Sequence, residues 1–371
     1  MRVTIERSAF LKSLNHVQSV VERRNTIPIL SNVLVVAANG VVRLTATDLD
    51  IEVVEEVAAD VATPGETTAP AHMMYDIVRK LPDGAQLELD QSDDQRISIF
   101  AGRSRFALQA LPSQDFPSLS AGEFTHRFHL PAAELKMLIE KTRFAISTEE
   151  TRYYLNGIYL HDVTTPDGPV LRAVATDGHR LAQVQLARPE GAKAMPGIIV
   201  PRKTVLELTK LIEDADGDVE IALSSAKIRF QLGALTLTSK LIDGTFPDYE
   251  RVIPRANSKK LEVDTRAFAQ AVDRVSTISS EKGRAVKLNI TADRVTLTVN
   301  NPDSGSAEEE IAASYGGDPI DIGFNSRYLL DVCAQFKGDT ASFLLADAGS
   351  PTILRDGDDM SALYVLMPMR V

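Results

Sequence analysis

One plan of helices and strands occurs three times along this 371-residue chain, and that repeat restricts the fold more than any single motif. In each copy an amphipathic helix precedes short strands, and a second helix opened by Pro or Asn precedes further strands. The first helices align at SAFLKSL (8–14), AAELKML (132–138) and TRAFAQA (265–271), and the second helices at MMYDIV (73–78), VLELT (205–209) and YLLDVC (328–333). Solenoid units span about 20–50 residues, whereas each copy here has the length of a domain. The sequence therefore predicts three similar domains.

The segments between these helices have the composition of strands. They alternate in polarity or are rich in β-branched residues, as in 33–47, 228–241 and 288–300, and turn dipeptides such as Asn39-Gly40 and Asp216-Gly217 separate them. Strands joined by hairpins form antiparallel sheets, and helices then cover one face of those sheets. The expected fold class is α+β, with three repeated domains of antiparallel sheets and two helices each.

Two polar junctions, near 118–127 and 254–262, mark the expected domain ends. A similar aromatic-proline turn precedes each junction, DFPSL at 115–119 and TFPDYERV at 245–252. The expected domains are residues 1–122, 123–255 and 256–371.

The charge of the chain is unevenly distributed. The net charge is −11, yet the segments expected to be helical carry sixteen Lys or Arg against nine Asp or Glu. These segments are 5–24, 71–81, 131–143, 201–212, 264–274 and 325–337. Helices tolerate Lys and Arg in general, but that explanation predicts an equal enrichment in Glu, which is absent. The pattern favours a basic helical surface for a polyanion on an otherwise acidic protein.

Composition also excludes several classes of protein. No stretch approaches the roughly 20 apolar residues that span a bilayer, and the first ten residues lack an apolar signal region, so no membrane partner is expected. The single cysteine, Cys333, rules out an internal disulfide framework and fits a cytoplasmic protein. It lies on the apolar face of a predicted helix, where core packing is the expected role.

The segment ATDGHRLA at 175–182 is the strongest candidate for catalysis. Asp177 and His179 could form an acid–base pair. However, ATDLD at 46–50 and VNNPD at 299–303 occupy the corresponding places in the other copies, so the Thr-Asp element is typical of repeated turn architecture. No nucleophile with a partnered base is nearby, and we predict no catalytic residue.

A metal site is not expected either. His126 and His129 have an H-x-x-H spacing, but a strand would place them on opposite faces and no cysteine joins them. The chain has neither a Walker A loop nor a G-x-G-x-x-G motif. The sequence thus predicts no metal and no cofactor.

Four segments combine apolar and cationic side chains in a way that is typical of a binding site: 152–157, 178–181, 247–252 and 365–370. Methionines in the last segment are adaptable and suit a groove that accepts varied apolar side chains. An alternative is that Met367-Pro368-Met369 closes the last strand into the core. Composition does not decide between the two.

Seven segments together, in their order and over the whole chain, resemble the bacterial DNA polymerase III beta subunits, the sliding-clamp family. They are TIPILSN (26–32), RSRFAL (103–108), RYYLNG (152–157), ATDGHRLA, IVPRK (199–203), SKLIDGTFPDY (239–249) and YVLMPMR (364–370). The resemblance implies a non-catalytic processivity factor. It also implies a head-to-tail homodimeric ring of six domains, with the helices lining a central hole and the sheets outside.

The same resemblance implies partners and sites. The implied partners are double-stranded DNA, a second copy of the chain, the DNA polymerase III alpha subunit, the clamp loader complex, and other DNA polymerases and repair proteins that bind through short linear peptides. We call the following residues the candidate peptide pocket: Arg152, Tyr154, Leu155, Thr176, Gly178, His179, Arg180, Leu181, Pro247, Arg251, Val252, Tyr328, Val365, Met367, Pro368, Met369 and Arg370. The chain departs from the family in ending with Val371 where leucine is familiar, and in placing Glu250 beside Arg251.

Two further residue sets follow from the resemblance. The candidate DNA-facing cations are Arg24, Arg79, Lys80, Lys136, Arg202, Lys203, Lys210 and Arg274. The candidate dimer interface consists of Arg96, Arg103, Arg105, Phe106, Leu108, Thr277, Ile278, Asp303, Glu308 and Glu309. In that interface Phe106 and Leu108 are expected against Thr277 and Ile278, and the arginines are expected to face the acids.

Two other classes of protein remain as alternatives. A DNA-binding regulator would carry one recognition helix, whereas this chain spreads its basic residues over six predicted helices. A hydrolase would lose turnover when His179 is replaced by Ala, whereas a clamp has no turnover to lose.

Overall fold

The computed structural model describes residues 1–93, 95–119, 122–213, 215–279, 284–357 and 359–371. Its contacts divide the chain into two units. Unit 1 comprises Met1–Leu135, Pro189–Pro196 and Lys203–Leu241, and unit 2 comprises Lys136–Arg188, Gly197–Arg202 and Ile242–Val371.

Six α-helices occur in the described part of the chain, two in each copy of the repeat. They are α1 (Arg7–Gln18), α2 (Ala71–Val78), α3 (Ala132–Arg143), α4 (Arg202–Ile212), α5 (Thr265–Ser276) and α6 (Ser326–Cys333). The carboxylates of Glu6 and Asp264 accept hydrogen bonds from backbone N–H groups at the starts of α1 and α5. Pro70 precedes α2 and the amide oxygen of Asn325 caps α6, so the expected Pro or Asn opening is confirmed there.

The expected helix over 5–24 is wrong at its C-terminal end, because α1 ends at Gln18. The Ser19 hydroxyl donates to the carbonyl of His16 at 2.7 Å, and the Ser19 N–H turns to the same carbonyl. That carbonyl would otherwise accept from the next helical turn, so the serine ends the helix. Arg24 consequently lies in a loop.

The strands are numbered β1 to β25 in chain order. They are β1 (Arg2–Glu6), β2 (Asn32–Ala38), β3 (Val41–Thr47), β4 (Ile51–Ala58), β5 (Asp60–Thr63), β6 (Gly65–Pro70), β7 (Gln86–Asp93), β8 (Arg96–Ala101), β9 (Ser104–Gln109), β10 (His126–Pro131), β11 (Gly157–Thr165), β12 (Gly168–Thr176), β13 (Arg180–Ala187), β14 (Ile198–Pro201), β15 (Asp218–Leu223), β16 (Lys227–Leu232), β17 (Leu235–Lys240), β18 (Lys259–Asp264), β19 (Ala285–Ile290), β20 (Arg294–Asn301), β21 (Gly305–Tyr315), β22 (Ile320–Asn325), β23 (Thr340–Leu345), β24 (Thr352–Asp356) and β25 (Ala362–Leu366).

Strand pairing repeats three times, and every pair is antiparallel. In each copy the strand before the first helix pairs with the strand after the second helix, and two further strands continue from it: β1-β7-β8-β9, β10-β15-β16-β17 and β18-β23-β24-β25. The strands between the two helices pair as β6-β2-β3-β4, β14-β11-β12-β13 and β22-β19-β20-β21. The predicted repeat and the α+β class are confirmed.

Neighbouring copies of the repeat are joined by the same strand pairing at both junctions. The last strand of copy 2, β17, pairs with β4 of copy 1 inside unit 1, and the last strand of copy 3, β25, pairs with β13 of copy 2 inside unit 2. Unit 1 therefore holds the eight-stranded sheet β10-β15-β16-β17-β4-β3-β2-β6 beside the five-stranded sheet β5-β1-β7-β8-β9. Unit 2 holds one twelve-stranded sheet, β14-β11-β12-β13-β25-β24-β23-β18-β21-β20-β19-β22.

Helices α1, α2, α5 and α6 pack against strands of their own copies. Phe10, Leu14 and Val17 of α1 are buried where the helix packs on β3 and β4. In unit 2 the Phe268 ring of α5 meets the Phe343 ring of β23 edge-on, with the ring centroids 5.2 Å apart. Cys333 at the end of α6 is buried, as expected.

The helices remain basic when their observed bounds are used. The six described helices carry eleven Lys or Arg and six Asp or Glu. Arg79 and Lys80, like Arg24, lie beyond a helix end, because α2 stops at Val78. The expectation that the basic side chains are carried on helices is wrong for these three residues and for Arg23 and Lys337, which lie beyond the ends of α1 and α6.

Candidate functional site

The loop between β12 and β13 carries the middle of the candidate peptide pocket. The Thr176 hydroxyl donates to the Arg180 carbonyl at 2.7 Å and accepts from the Gly178 N–H at 3.1 Å. One carboxylate oxygen of Asp177 accepts from the N–H groups of His179 and Arg180. Gly178 has φ +89°, a conformation that favours glycine. Asp177 thus shapes the turn, as the repeat indicated, and His179 is exposed at its tip.

Arg180 fixes this loop to the rest of unit 2. Its guanidinium is nearly buried and donates to the carboxylates of Asp177 at 3.1 Å and Asp331 at 2.6 Å, and to the carbonyl of Phe144 at 2.6 Å. It also lies 4.3 Å from the centroid of the Tyr328 ring. With its donors used in this way, Arg180 positions the loop and Tyr328 and presents no free guanidinium face to a ligand.

The apolar members of the candidate pocket differ in exposure. Leu155, Leu181 and Val365 belong to the buried cluster that also contains Phe246 and Tyr249. The side chains of these three residues are buried.

Two apolar members are open to solvent. Val252 is 50% exposed and Met367 is 42% exposed. They are the candidates for direct contact with a partner. The alternative that the Met-Pro-Met segment closes into the core is therefore wrong for Met367.

Backbone hydrogen bonds hold the C-terminal segment in place. The Met367 N–H donates to the His179 carbonyl at 2.9 Å, and the Met369 N–H donates to the Gly323 carbonyl at 2.8 Å. A Cβ on Gly323 would lie 2.7 Å from the Met369 carbonyl oxygen and would also meet Val371. The tail therefore depends on glycine at position 323.

The segment around Pro247 is anchored by a polar and aromatic cluster. Arg172 donates to the Tyr249 hydroxyl at 2.9 Å and to the Glu250 carboxylate at 3.0 Å. The Tyr249 hydroxyl also lies 3.0 Å from His161 Nε2. Burial, aided by the charge of Arg172, lowers the pKa of His161 to about 4, so its ring is neutral at neutral pH.

The remaining members complete the surface. Arg152 pairs with Glu149 at 3.2 Å and donates to the Asp177 carbonyl at 3.4 Å. The Tyr154 ring packs edge-on against Tyr153. Arg251 pairs with Asp248 at 2.6 Å yet stays largely exposed. Pro247 and Arg370 are exposed and Pro368 is half-buried.

Unit 2 thus holds all the candidate pocket residues, on loops, on helix α6 and at the ends of β12, β13 and β25. Comparison with known proteins explains this arrangement. Models of the DNA polymerase III beta subunit match the chain from end to end: the N-terminal domain at residues 1–120, the central domain at 129–248 and the C-terminal domain at 250–370. The chain belongs to the DNA polymerase III beta subunit family.

Relatives and solved structures agree. The beta sliding clamp of Caulobacter vibrioides is 56% identical over 372 residues, and that of Escherichia coli K12 is 41% identical over 374 residues; each comparison covers 100% of both chains. A sliding clamp from Bartonella birtlesii bound to griselimycin has a TM-score of 0.97 at 57% identity, and one from Pseudomonas aeruginosa bound to griselimycin has 0.95 at 41%. Each of these structural matches covers this chain and the other chain completely.

Membership in the beta subunit family makes the chain a DNA sliding clamp, a processivity factor without catalytic activity. The hydrolase and regulator alternatives are therefore wrong. Within the described residues no three His, Cys, Asp or Glu side chains form a group that could hold a metal. None of the described helices is long and apolar enough to cross a membrane.

Most of the candidate DNA-facing cations have a carboxylate partner in this beta subunit. The pairs are Arg79 with Asp76, Lys136 with Glu140, Lys203 with Glu22 and Asp48, Lys210 with Glu207, and Arg274 with Glu309. Arg24, Lys80 and Arg202 are exposed and form no ion pair within the described residues. The carboxylates of Asp48 and Glu207 are buried, whereas the pairs of Arg79, Lys136 and Arg274 are exposed and contribute only about 0–1 kcal/mol each. A phosphate can therefore compete for Arg79, Lys136 and Arg274.

The candidate interface residues fall into two groups, one around β9 of unit 1 and one around β21 and the end of α5 in unit 2. Arg105, Phe106 and Leu108 are on β9, which ends the five-stranded sheet, with Arg96 on β8 and Arg103 in the hairpin between them. Glu308 and Glu309 are on β21, Asp303 is in the loop before it, and Thr277 and Ile278 follow α5. Leu108 is already buried within unit 1, whereas Phe106 is only half-buried. Of these two side chains, Phe106 is therefore the more exposed.

Sequence reasoning missed three residues that hold the candidate pocket together: Asp331, Arg172 and Tyr249. A signal existed for Asp331, because each second helix carries an acid after its apolar row. In copies 1 and 2 that acid pairs within its own helical region, Asp76 with Arg79 and Glu207 with Lys210. Asp331 likewise pairs with Arg327 of its own helix, but it also reaches Arg180. Nothing in the sequence indicated that Arg172 and Tyr249 would meet.

Proposed function

We propose that this sliding clamp works as a head-to-tail ring of two subunits that surrounds duplex DNA and holds its partners through the candidate peptide pocket. The observation that carries the proposal is the rule by which the copies join. The last strand of one copy pairs with the fourth strand of the preceding copy, at β17-β4 and again at β25-β13. Two strand edges remain that could follow the same rule, namely β9 and the first half of β21.

The two internal joins share one register. In the first, Ser239 lies opposite Ile51 and Leu237 opposite Val53. In the second, Leu366 lies opposite Arg180 and Tyr364 opposite Ala182. Two comparisons identify the equivalent residues. β9 aligns with β17 because both follow two-residue turns. Counting along the ladders from Pro70 and from Asn325, each directly before a second helix, aligns Val53 of β4 with Ala307 of β21.

Applied between β9 and β21 of a second subunit, this register places Phe106 opposite Ala307 and Arg105 opposite Glu308. Arg103 then comes opposite Glu310. Opposite residues of an antiparallel pair share a face of the sheet, so two arginines would meet two glutamates along the outer face. Because each subunit offers one β9 and one β21, two subunits would close a ring with no free edge of this kind.

The candidate DNA-facing cations support contact with the phosphate backbone. Contacts to phosphate position a protein on DNA without selecting a sequence, whereas base contacts would oppose sliding. Spreading the cations over three copies of the repeat suits a surface that follows the duplex without reading it.

The candidate peptide pocket supports recognition of short linear segments. Val252 and Met367 offer apolar surface on a rigid support, and the methionine can adapt to different side chains. Exposed Arg152, Arg251 and Arg370 surround this surface and suit acceptor groups of a peptide. We infer that the partners include the DNA polymerase III alpha subunit, the clamp loader complex, and other DNA polymerases and repair proteins.

Two further expectations belong to this proposal. The protein is inferred to act in the cytoplasm, where the polymerase it serves would copy DNA. The three domains are inferred to span residues 1–122, 123–255 and 256–371, with the aromatic-proline turns near their junctions.

Retention on circular DNA tests the ring. Clamps loaded onto nicked circular duplex should remain bound through gel filtration, and linearising the DNA should release them, because only a closed ring is held by topology. A variant in which Phe106 is replaced by Asp should lose retention on the circle. Equal retention on circular and linear DNA would overturn the proposal.

A further inference from the structure

Copies 1 and 2 of the repeat can be compared residue by residue on the outer faces of their sheets. Asn32 lies opposite Pro70, the residue before α2, and Gly157 lies opposite Pro201, the residue before α4. Counting from these pairs aligns Leu34 with Tyr159, Val36 with His161, and Arg43 with Arg172. The last pair is independently supported, because Val36 faces Arg43 and His161 faces Arg172 across their ladders.

In unit 2 this outer face is filled by the chain itself. The rings of Tyr159 and Phe246 stack in parallel with centroids 4.7 Å apart, and Tyr159 also stacks on His161 at 4.4 Å. Tyr249 meets the edge of His161 and is buried. The segment Phe246-Pro247-Asp248-Tyr249-Glu250 thereby lies over the strands.

In unit 1 the corresponding face is only partly covered. Leu34 and Val36 stand where unit 2 has the rings of Tyr159 and His161. Phe116 and Leu119, which belong to the equivalent aromatic-proline turn, are only half-buried. A cavity of about 510 Å³ is left between this turn, the sheet and Phe124. Its volume is in the range that binds small ligands or individual side chains.

Arg172 in unit 2 and Arg43 in unit 1 make corresponding hydrogen bonds, except at one terminal nitrogen. In unit 2, Nε and one terminal nitrogen of Arg172 donate to Gln185, and the other terminal nitrogen donates to Tyr249 and Glu250. In unit 1, Nε and one terminal nitrogen of Arg43 donate to Glu56, at 2.8 and 2.5 Å. The second terminal nitrogen of Arg43 has no hydrogen bond within the described residues.

A second arginine at this cavity also lacks an acceptor. Arg229 lies with its guanidinium 4.6 Å from the centroid of the Phe124 ring, and its Nε is buried without a hydrogen-bond partner in the described part of the chain. A buried donor without an acceptor is uncommon in folded proteins. The cavity therefore combines apolar walls with a terminal nitrogen of Arg43 that can still donate, and with Arg229, whose buried Nε lacks an acceptor.

We propose that this cavity of unit 1 is a second docking site. It takes an extended peptide of a partner protein that carries a tyrosine followed by an acidic residue. The tyrosine ring enters the space between Leu34, Val36 and Phe124, and its hydroxyl and the following carboxylate accept from Arg43. Tyr249 and Glu250 make this arrangement on Arg172 in unit 2. Docking here is independent of the candidate peptide pocket, which lies in unit 2.

The probe for the test is a fluorescein-labelled octapeptide with the sequence of residues 245–252, titrated against the full-length protein and followed by anisotropy. We expect saturable binding that persists, within about twofold in Kd, when residues 367–371 are deleted. Replacing Arg43 by Ala should raise Kd by about tenfold or more, because the lost hydrogen bonds involve a charged group. Arg2→Ala is the matched control, since Arg2 is an equally exposed, ion-paired strand arginine of unit 1 that does not line the cavity.

Two further experiments test the same contacts, one with a double variant of the protein and one with altered peptides. The double variant Leu34→Tyr, Val36→His gives the cavity of unit 1 the side chains that Tyr159 and His161 supply in unit 2, and it should abolish binding. If that variant does not fold, peptides in which the tyrosine becomes phenylalanine or the glutamate becomes glutamine should bind the native protein more weakly. The proposal is overturned by absent saturation, by a Kd unaffected by Arg43→Ala, or by binding that disappears with the tail. None of these outcomes alters retention on circular DNA, which tests the ring separately.

Discussion

The guanidinium of Arg274 makes two hydrogen bonds to the carboxylate of Glu309, at 2.9 Å and 2.5 Å. This bond to Arg274 lowers the pKa of Glu309, and the same bond raises that of Arg274. The two residues belong to different candidate sets, since Arg274 is expected to face DNA and Glu309 to lie at the dimer interface. One ion pair therefore links the two surfaces within unit 2.

Replacing Glu309 by Gln should release Arg274 for phosphate contact. We expect the logarithm of the association constant with a short linear duplex to fall more steeply with the logarithm of salt concentration, by about 0.9 in slope. The free energy of unfolding should change by less than about 1 kcal/mol, because the pair is exposed. Asp321→Asn, which breaks the exposed pair with Lys287 in the same unit, is the control and should leave the slope unchanged.

Arg180→Ala should destabilise the protein substantially. The change would leave Asp177, Asp331 and the Phe144 carbonyl without their shared donor, at a cost of about 2–4 kcal/mol in the free energy of unfolding. Urea unfolding measures this cost. Arg251→Ala removes a largely exposed side chain of the same candidate pocket and should change stability by less than about 0.5 kcal/mol. Equal effects of the two changes would contradict the positioning role of Arg180.

The repeat and the fold class could be predicted because they depend on periodic patterns within each copy. The aligned helices, the hairpin turns and the Pro or Asn before each second helix are local signals. Asn39 and Gly40, for example, adopt the positive φ angles of 52° and 79° that their turn requires. Such signals do not involve residues distant in the sequence.

The burial of the candidate pocket residues could not be predicted in the same way. Leu181 and Val365 read as apolar residues beside cations, and only the pairing of β13 with β25 places them opposite each other in the core. Arg180 and Asp331 are 151 residues apart, and their contact depends on that same pairing. Composition identifies residue types that suit a binding site, but it does not say which members of the candidate peptide pocket face solvent.

Gly323→Ala should displace the C-terminal segment. The added methyl group would lie 2.7 Å from the Met369 carbonyl oxygen, closer than carbon and oxygen approach, so the backbone of the tail must shift. We expect weaker binding of polymerase-derived peptides in a titration, with dimerisation retained. Gly305→Ala is an unsuitable control because of its positive φ, whereas Gly316→Ala meets no neighbouring atom and should preserve peptide affinity.

The buried imidazole of His161 should make stability depend on pH. An unfolded histidine has a pKa of about 6.5, whereas burial and Arg172 lower the pKa of His161 in the folded protein to about 4. The unfolded chain therefore binds the extra proton first, so the stabilisation present above pH 6.5 is lost as the pH falls towards 4. With screening at the partly exposed ring the loss should be about 2 kcal/mol or less.

Urea unfolding between pH 4 and 7 measures this dependence. His161→Gln keeps a hydrogen-bonding side chain and removes the titrating group, so the slope of stability against pH should become shallower in that window. His129→Gln, at an exposed position on β10, serves as the control. An unchanged slope in the His161 variant would show that other groups carry the dependence.

Charge reversal across the proposed subunit join tests its register. If Arg105 of one subunit lies opposite Glu308 of the other, then Arg105→Glu or Glu308→Arg places like charges opposite each other and should shift the dimer towards monomer. Combining both changes in one chain restores opposite charges at each join, and the dimer should recover part of its strength. Dilution followed by analytical ultracentrifugation measures the dissociation constant. Arg2→Glu, on a strand with partners on both sides, should leave it unchanged. A double variant no stronger than either single variant would place these strands in a different register, because only a direct pairing makes the two reversals compensate.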